Sequence, residues 1–132
     1  MASQKWEPPG WATLPTMAVR LEVHRGGQIL QTHDLSKKKS FVLGRQAGIA
    51  DILVPDDAVS RQHAALVHRG AALYVIDLKS AAGVSVDGKR IAPNDATPLK
   101  EGATIALGAA PLSYIVRGLA APAAPSAAAA QP

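Results

Sequence analysis

Two short segments of this 132-residue chain carry side chains that could hold a negatively charged group. Gly44-Arg45 and Ser60-Arg61-Gln62-His63 flank a stretch that is rich in turn-forming residues. A guanidinium presents its N–H donors in a fork and a serine hydroxyl adds one more donor, so Arg45, Ser60 and Arg61 would together suit a phosphate group. The alternative is that both arginines are solvated surface charges and that the serine only caps a turn.

Catalysis and metal binding are weaker interpretations of the same region. Ser60, His63 and Asp77 are the residue types of a hydrolase triad, but a serine and a histidine three residues apart at the start of a strand rarely face each other. The chain also lacks the Gly-x-Ser-x-Gly elbow that many hydrolases use. The histidines do not show the spacing of a metal-ligand set; they are His24, His33, His63 and His68. We therefore expect neither an enzyme nor a bound metal or cofactor.

The charge balance favours anionic partners. Fourteen Lys and Arg residues against ten Asp and Glu give a formal net charge of +4, which biases the chain towards phosphopeptide, nucleic acid or acidic protein. Lys37-Lys38-Lys39 and Lys89-Arg90 leave room for weak nucleic-acid contact, although one Phe and two Tyr supply no stacking platform. The absence of cysteine is typical of a reducing compartment. No apolar run approaches the roughly 20 residues of a membrane span, so we expect no membrane partner.

Short runs of alternating apolar and polar residues predict strands. In "VRLEVH", for example, Val19, Leu21 and Val23 share one face. About eleven such runs are separated by turn signals, the strongest being Asp87-Gly88, which fits a type I′ hairpin turn. Many short strands with turns between them predict an all-β protein with little or no helix, folded as an antiparallel β-sandwich whose functional residues lie in the loops.

The chain divides by composition into three parts. Residues 1–17 form an arm with three prolines and two tryptophans, which could be either a loose leader or a segment docked on the domain. Residues 18–117 form the predicted domain. Residues 118–132 are low-complexity Ala and Pro with little to bury, and we expect a disordered tail there.

Four motifs, in order, resemble the forkhead-associated (FHA) domain family. They are "FVLGR", "VSRQHAAL", "YVIDLKSAAGVSVDGKRI" and "LKEGATIALG", and the resemblance spans roughly residues 18–117. It implies an eleven-stranded sandwich that binds phosphothreonine-containing partner proteins without catalysis, through a cluster of arginines that recognises the phosphate. The arm and "SRQHAALV" are similar to a nuclear member of the family, which implies a nuclear scaffold that binds phosphothreonine-proline sites on splicing-related proteins.

The resemblance also implies a role for individual residues. Arg45 would anchor the peptide backbone or the phosphate, while Ser60 and Arg61 would contact the phosphate. Gly44 and Gly83 would be structural, at turns that leave no room for a side chain, and His63 would be a buried organiser of the loops. The remaining peptide-contacting positions would be those of the following loop, which are Ser80, Ala81 and Ala82.

The Ala81-Ala82 pair departs from the family pattern, which has a polar pair with an asparagine here. Alanine cannot replace the asparagine's hydrogen bond to the peptide backbone. A neutral hydrogen bond contributes a net ~0.5–1.5 kcal/mol and one to a charged group roughly 1.5–3 kcal/mol, so the phosphate contacts should outweigh the loss. We expect weaker and less selective binding. The alternative is a degenerate FHA fold that acts as a phosphate-independent interaction scaffold.

Overall fold

A computed structural model of the chain describes residues 6–54, 56, 58–108 and 110–119. These residues form eleven strands and no helix, and hence contain no helical membrane span. The all-β prediction is confirmed. The strands are β1 (Arg20–Arg25), β2 (Gln28–Asp34), β3 (Ser40–Gly44), β4 (Ile52–Leu53), β5 (Ala64–Arg69), β6 (Ala72–Asp77), β7 (Val84–Val86), β8 (Lys89–Arg90), β9 (Thr97–Leu99), β10 (Thr104–Leu107) and β11 (Ser113–Arg117).

The strands form two sheets that pack face to face. One sheet has the order β2-β1-β11-β10-β7-β8 and the other has the order β4-β3-β5-β6-β9. The period-two pattern of the sequence sets which side chains enter the space between them. In β1, for example, Leu21 and Val23 are buried while Arg20 and Arg25 are exposed. The sandwich core is therefore built from the alternate apolar positions that the sequence shows.

One strand pair differs from the predicted antiparallel arrangement, because β3 and β4 run parallel. The turn between them brings Asp51 back beside the middle of β3, where its backbone N–H donates to the Val42 carbonyl at 2.8 Å. The Asp51 carboxylate also accepts the Val42 N–H at 2.8 Å. Held at this point, the chain continues along β3 in the same direction. The other pairs between the eleven described strands are antiparallel.

The Asp87-Gly88 turn joins β7 to β8 as predicted. Both residues have positive φ, 51° for Asp87 and 84° for Gly88, which is the requirement of a type I′ turn. The Asp87 carboxylate accepts the Thr104 N–H at 3.0 Å and so ties the turn to the neighbouring strand β10. The turn returns β8 along β7 towards the end of the sandwich where β7 begins.

The amino-terminal arm lies on the outer face of the second sheet. Strand β5 is buried on both faces, since Ala64 and Leu66 enter the main core while Ala65 and Val67 belong to a second apolar cluster. The arm supplies Ala12 to that second cluster, with the two tryptophans packed against it. Of the two conformations that the sequence left open for the arm, residues 6–17 have the docked one, which removes tryptophan surface from water.

Specific contacts fix the position of the arm. The Trp11 ring packs edge-on against the Tyr74 ring, with 5.4 Å between the centroids. Thr13 donates its N–H to the His68 carbonyl at 2.9 Å, and its hydroxyl accepts the Gly70 N–H at 2.7 Å. At its other end, the arm donates the Trp6 N–H to the side chain of Gln62. The arm thus runs along the sheet to the loop that contains Ser60 and Arg61.

At the carboxyl-terminal side of the domain, the described structure continues beyond Arg117. Leu119 is buried in the main core, and its N–H donates to the Glu101 carboxylate at 2.9 Å. The core therefore extends two residues beyond the predicted domain boundary. The rest of the predicted tail, residues 120–132, lies outside the described residues.

A buried histidine in β5 should make folding sensitive to mild acid. His68 is 1% exposed, and burial lowers its pKa below the ordinary 6.5, although a hydrogen bond from its Nε2 to the Leu35 carbonyl opposes the shift. Below about pH 6.5 the unfolded chain binds a proton that the folded chain resists. We expect the free energy of unfolding, measured with urea, to fall as the pH drops from 7 towards 5, and His68→Gln to flatten this dependence.

The half-buried His33 provides a comparison, because burial also lowers its pKa. His33→Gln should remove the smaller share of the pH dependence, since the His33 side chain is less enclosed than that of His68. A pH dependence that is unchanged in His68→Gln would show that the acid sensitivity comes from other groups.

Candidate functional site

Three loops meet at the end of the sandwich where β3 and β6 finish and β5 and β7 begin. The first two loops pair through their backbones, because Arg45 donates its N–H to the Ser60 carbonyl at 3.0 Å and Gln46 donates to the Arg61 carbonyl at 3.4 Å. The third loop, residues 78–83, joins them where the Ala81 N–H donates to the Ser60 hydroxyl at 3.2 Å. Gly44-Arg45 and Ser60-Arg61-Gln62-His63 are therefore adjacent in space.

Gly44 permits this close approach of the first two loops. A Cβ atom at Gly44 would lie 1.9 Å from the Arg61 carbonyl oxygen and 2.7 Å from its carbonyl carbon. Both are backbone atoms, so a larger residue could be accommodated only by separating the loops. The requirement for glycine here is steric, because Gly44 does not have a positive φ.

His63 connects the second loop to the third from a fully buried position. Its Nδ1 accepts the Ser60 N–H at 3.0 Å, so the ring proton is carried by Nε2, which donates to the Gly83 carbonyl at 2.7 Å. The His63 main chain also pairs on both sides, with Leu43 and with Leu78. The His63 side chain thus links Ser60 of the second loop to Gly83 of the third loop.

The geometry does not form a catalytic triad. Both ring nitrogens of His63 bond to backbone groups, and neither bonds to the Ser60 hydroxyl or to Asp77. The buried Asp77 carboxylate instead accepts the N–H and the hydroxyl of Ser80. Without a base on its hydroxyl, Ser60 has no activated oxygen for nucleophilic attack.

The Arg45, Ser60 and Arg61 side chains offer donors to solvent at this end of the molecule. Arg45 is exposed, and its Nε donates to the Val59 carbonyl at 3.0 Å, which leaves the terminal N–H groups available. The Ser60 hydroxyl accepts from Ala81 and keeps its own proton to donate. Arg61 is exposed, and its guanidinium makes no hydrogen bond or ion pair among the described residues. Forked guanidinium N–H groups and a serine hydroxyl are the kinds of donor that bind a phosphate group.

The third loop is organised from within by Ser80. Its hydroxyl donates to the Asp77 carboxylate at 2.7 Å and accepts the Gly83 N–H at 3.0 Å. Ser80 is thus placed beside the site, with its hydroxyl engaged inside the loop. Ala81 and Ala82 are exposed at the tip, where they present only methyl groups and the remaining backbone.

Sequence reasoning did not assign a role at this site to Arg90. A Cβ atom at Gly83 would lie 2.5 Å from Arg90 Nε, 2.6 Å from its Cζ and 2.7 Å from its Nη2. Gly83 has a φ of 85°, so the turn conformation and the approach of Arg90 both favour glycine here. The sequence contains a partial signal for this contact, because the Asp87-Gly88 hairpin returns β8 beside β7.

Of the two basic segments suggested for nucleic-acid contact, Lys37–Lys39 lies apart from this site, whereas Lys89-Arg90 borders the third loop. Lys37–Lys39 precede β3 and Arg45 follows it, so the length of the strand separates them. Lys38 forms an ion pair with Asp51 and lies over the Phe41 ring. The described residues contain no cluster of three or more His, Cys, Asp or Glu side chains that could hold a metal ion.

Sequence comparison shows which known proteins the chain resembles. The family model described as "FHA domain" matches residues 41–108. The chain is 37% identical over 114 residues to "Protein phosphatase 1 regulatory inhibitor subunit PPP1R8 homolog" of Arabidopsis thaliana, covering 85% of this chain and 31% of that protein. It is 28% identical over 111 residues to "Nuclear inhibitor of protein phosphatase 1" of Homo sapiens, covering 83% and 32%.

Solved structures show the same architecture. A structure titled "Structural and functional analysis of phosphothreonine-dependent FHA domain interactions" matches with a TM-score of 0.64 and 30% identity over 76% of this chain and 95% of that one. The fold of the yeast Pml1 splicing factor matches with a TM-score of 0.78 and 20% identity over 88% and 98%. The chain spans about a third of the length of the Arabidopsis and human relatives. On its motifs, its sandwich and its family match, the chain belongs to the FHA domain family.

Proposed function

We propose that this FHA domain binds phosphothreonine-containing segments of partner proteins, with Arg45, Ser60 and Arg61 holding the phosphate. Domains of this family are generally phosphothreonine-binding interaction modules. The observation that carries the proposal is the set of donors at the loop end, where two exposed arginines flank a serine hydroxyl whose proton is available. Among the residues that the structure describes, none of the three donor groups is bound to an acidic side chain.

Two of the three donor side chains are held in place within the described structure. Arg45 is already oriented by its bond to Val59, and Ser60 is fixed by His63 on one side and by Ala81 on the other. A phosphate carries about −1.5 to −2 charges near neutral pH and three acceptor oxygens. Donors that are positioned in advance lose less conformational freedom on binding, so a small number of contacts can give useful affinity.

The loop tip supports a weaker contact to the peptide chain on either side of the phosphate. Ala81 uses its N–H for Ser60, and neither Ala81 nor Ala82 has a polar side chain. Peptide selection by this loop would then depend on backbone groups and shape, with the phosphate supplying most of the affinity. We therefore expect this domain to select only modestly among the peptide residues that flank the phosphothreonine.

Restoring a polar side chain at the tip should strengthen peptide binding. We expect Ala82→Asn to raise the affinity for a phosphothreonine peptide by up to about tenfold, the equivalent of one net hydrogen bond. Isothermal titration calorimetry measures this change. The matched control is Ala71→Asn, at an exposed turn on the opposite end of the sandwich, which should leave the affinity unchanged. An Ala82→Asn affinity equal to that of the parent would mean that peptides do not pass over this loop.

The setting that we propose is nuclear and non-catalytic. The human relative is named as a nuclear inhibitor of a protein phosphatase, and the Arabidopsis relative is named as a regulatory inhibitor subunit. We propose a recruiting role in the nucleus, directed at phosphothreonine-proline sites of splicing-related proteins. Inhibition of a phosphatase is not part of the proposal, because the chain covers about a third of those relatives.

An oriented phosphopeptide library, followed by titration of matched phosphorylated and unphosphorylated peptides, tests the function. We expect selection of phosphothreonine over phosphoserine and unmodified threonine, with competition by free phosphothreonine peptide. Equal binding of phosphorylated and unphosphorylated forms would overturn the proposal and favour the phosphate-independent scaffold. A steep salt-dependent shift with nucleic acid, insensitive to the peptide, would instead indicate binding through the basic segments.

A further inference from the structure

Arg90 occupies a defined position beside the phosphate-binding loops. Three atoms of its guanidinium group lie at nearly equal distances, 2.5 to 2.7 Å, from the position that a Cβ atom would have at Gly83. The guanidinium therefore lies directly against the side of Gly83 from which a Cβ atom would project. The guanidinium carries five N–H donors in a fixed fork, and Arg90 is exposed, so donors of this group can reach a ligand in solvent.

No residue that the structure describes accepts a hydrogen bond from the Arg90 guanidinium. Arg90 is exposed, and its side chain makes no hydrogen bond and no ion pair anywhere in the described part of the chain. Arg117, by contrast, pairs with Glu22 at 3.4 Å, whereas Arg61 resembles Arg90 in having no acidic partner among the described residues. Arg90 is therefore a positioned cation with forked donors and no anion of its own.

Arg90 is near the phosphate position but separate from it. The Ser60 hydroxyl bonds to the Ala81 N–H, and Gly83 follows Ala81 by two residues. From the chain geometry, the guanidinium lies within about 15 Å of that hydroxyl. An extended peptide advances about 3.3 Å per residue, so this distance spans at most about four residues. One peptide could contact both positions.

We propose that Arg90 forms a second anion-binding position that takes an acidic group of the same phosphopeptide. The ligand is a carboxylate or a second phosphate, within four residues of the phosphothreonine and on one side of it. This proposal rests on the proposed function and extends it from recognition of one phosphate to recognition of a phosphothreonine in an acidic or doubly phosphorylated segment. The small side chains of Ala81 and Ala82 leave the surface between the two positions open.

A scan of acidic positions tests this proposal. A phosphothreonine peptide with alanine at the flanking positions is compared with eight peptides that carry a single glutamate one to four residues before or after it. We expect one position, or two neighbouring positions on one side, to raise the affinity by about three- to fivefold, as suits a partly exposed ion pair. Phosphoserine at the preferred position should raise it further, which distinguishes a second phosphate from a carboxylate as the better ligand.

Variants at neighbouring positions on β8 assign the effect to Arg90. Arg90→Gln should abolish the gain from glutamate, so that the glutamate-containing and alanine-flanked phosphopeptides bind it with equal affinity. Arg90→Lys should keep part of the gain, because it retains the charge and loses the fork. Lys89→Gln removes an equal charge from the other face of the strand and should keep the full gain.

Two outcomes would overturn the second position. One is a flat scan in the parent protein, and the other is a gain that persists in Arg90→Gln. Thermal denaturation of each variant separates these results from a loss of fold, since a purely structural Arg90 would change stability and leave the ratio of affinities alone. A separate result would contradict the proposed function itself. That result is equal affinity for the alanine-flanked peptide with and without its phosphate.

Discussion

Replacing Arg45 by alanine is expected to reduce the affinity for a phosphothreonine peptide by about 10- to 150-fold and to abolish the preference for the phosphorylated form. Hydrogen bonds to a charged group contribute roughly 1.5–3 kcal/mol each, and each 1.4 kcal/mol is about a tenfold change in affinity. Arg45 is already oriented by its bond to the Val59 carbonyl, so its loss removes both charge and preorganisation. Titration of paired phosphorylated and unphosphorylated peptides measures both effects.

The matched control for Arg45 is Arg69→Ala. Arg69 is an exposed arginine at the end of β5 that is remote from the loops, so its loss lowers the net charge equally without touching the site. We expect Arg69→Ala to retain the phosphate preference. If Arg45→Ala and Arg69→Ala weaken binding to the same small extent, the phosphate is attracted by overall charge and is not held at the loop end.

Gly44→Ala is expected to lower the free energy of unfolding by about 3 kcal/mol, at the upper end for an overpacked site. The added Cβ would lie 1.9 Å from the Arg61 carbonyl oxygen, so the first two loops must separate. Their separation would break the backbone bonds from Arg45 to Ser60 and from Gln46 to Arg61. We therefore also expect loss of phosphopeptide binding at temperatures where the variant remains folded.

Gly10→Ala is the control for this substitution. A Cβ at Gly10 would have no atom within 4 Å, and Gly10 does not have a positive φ, so stability and binding should both be unchanged. Urea denaturation and peptide titration of the two variants give the comparison. Gly44→Ala with parental stability and affinity would show that the loops can separate without loss of the site.

The local pattern of the sequence determined the sheets. Alternation placed Leu21 and Val23 inward, and Asp87-Gly88 specified its hairpin, because both properties depend only on neighbouring residues. The order of the motifs was enough to place Arg45 near Ser60 and Arg61. The same reasoning could not fix the direction of β4, because its pairing depends on where Asp51 docks on β3.

The sequence by itself thus determined an all-β sandwich, its family and the end of the molecule that carries the arginines, since short-range periodicity and motif order encode these features. Only the tertiary structure decided how the arm lies, how Ser80 is used and where Arg90 points. The arm contacts join residues more than fifty positions apart, Trp6 with Gln62 and Thr13 with Gly70. Arg90 faces Gly83 because β8 returns beside β7. Such contacts depend on how distant segments pack together, and the pattern of one segment does not contain that information.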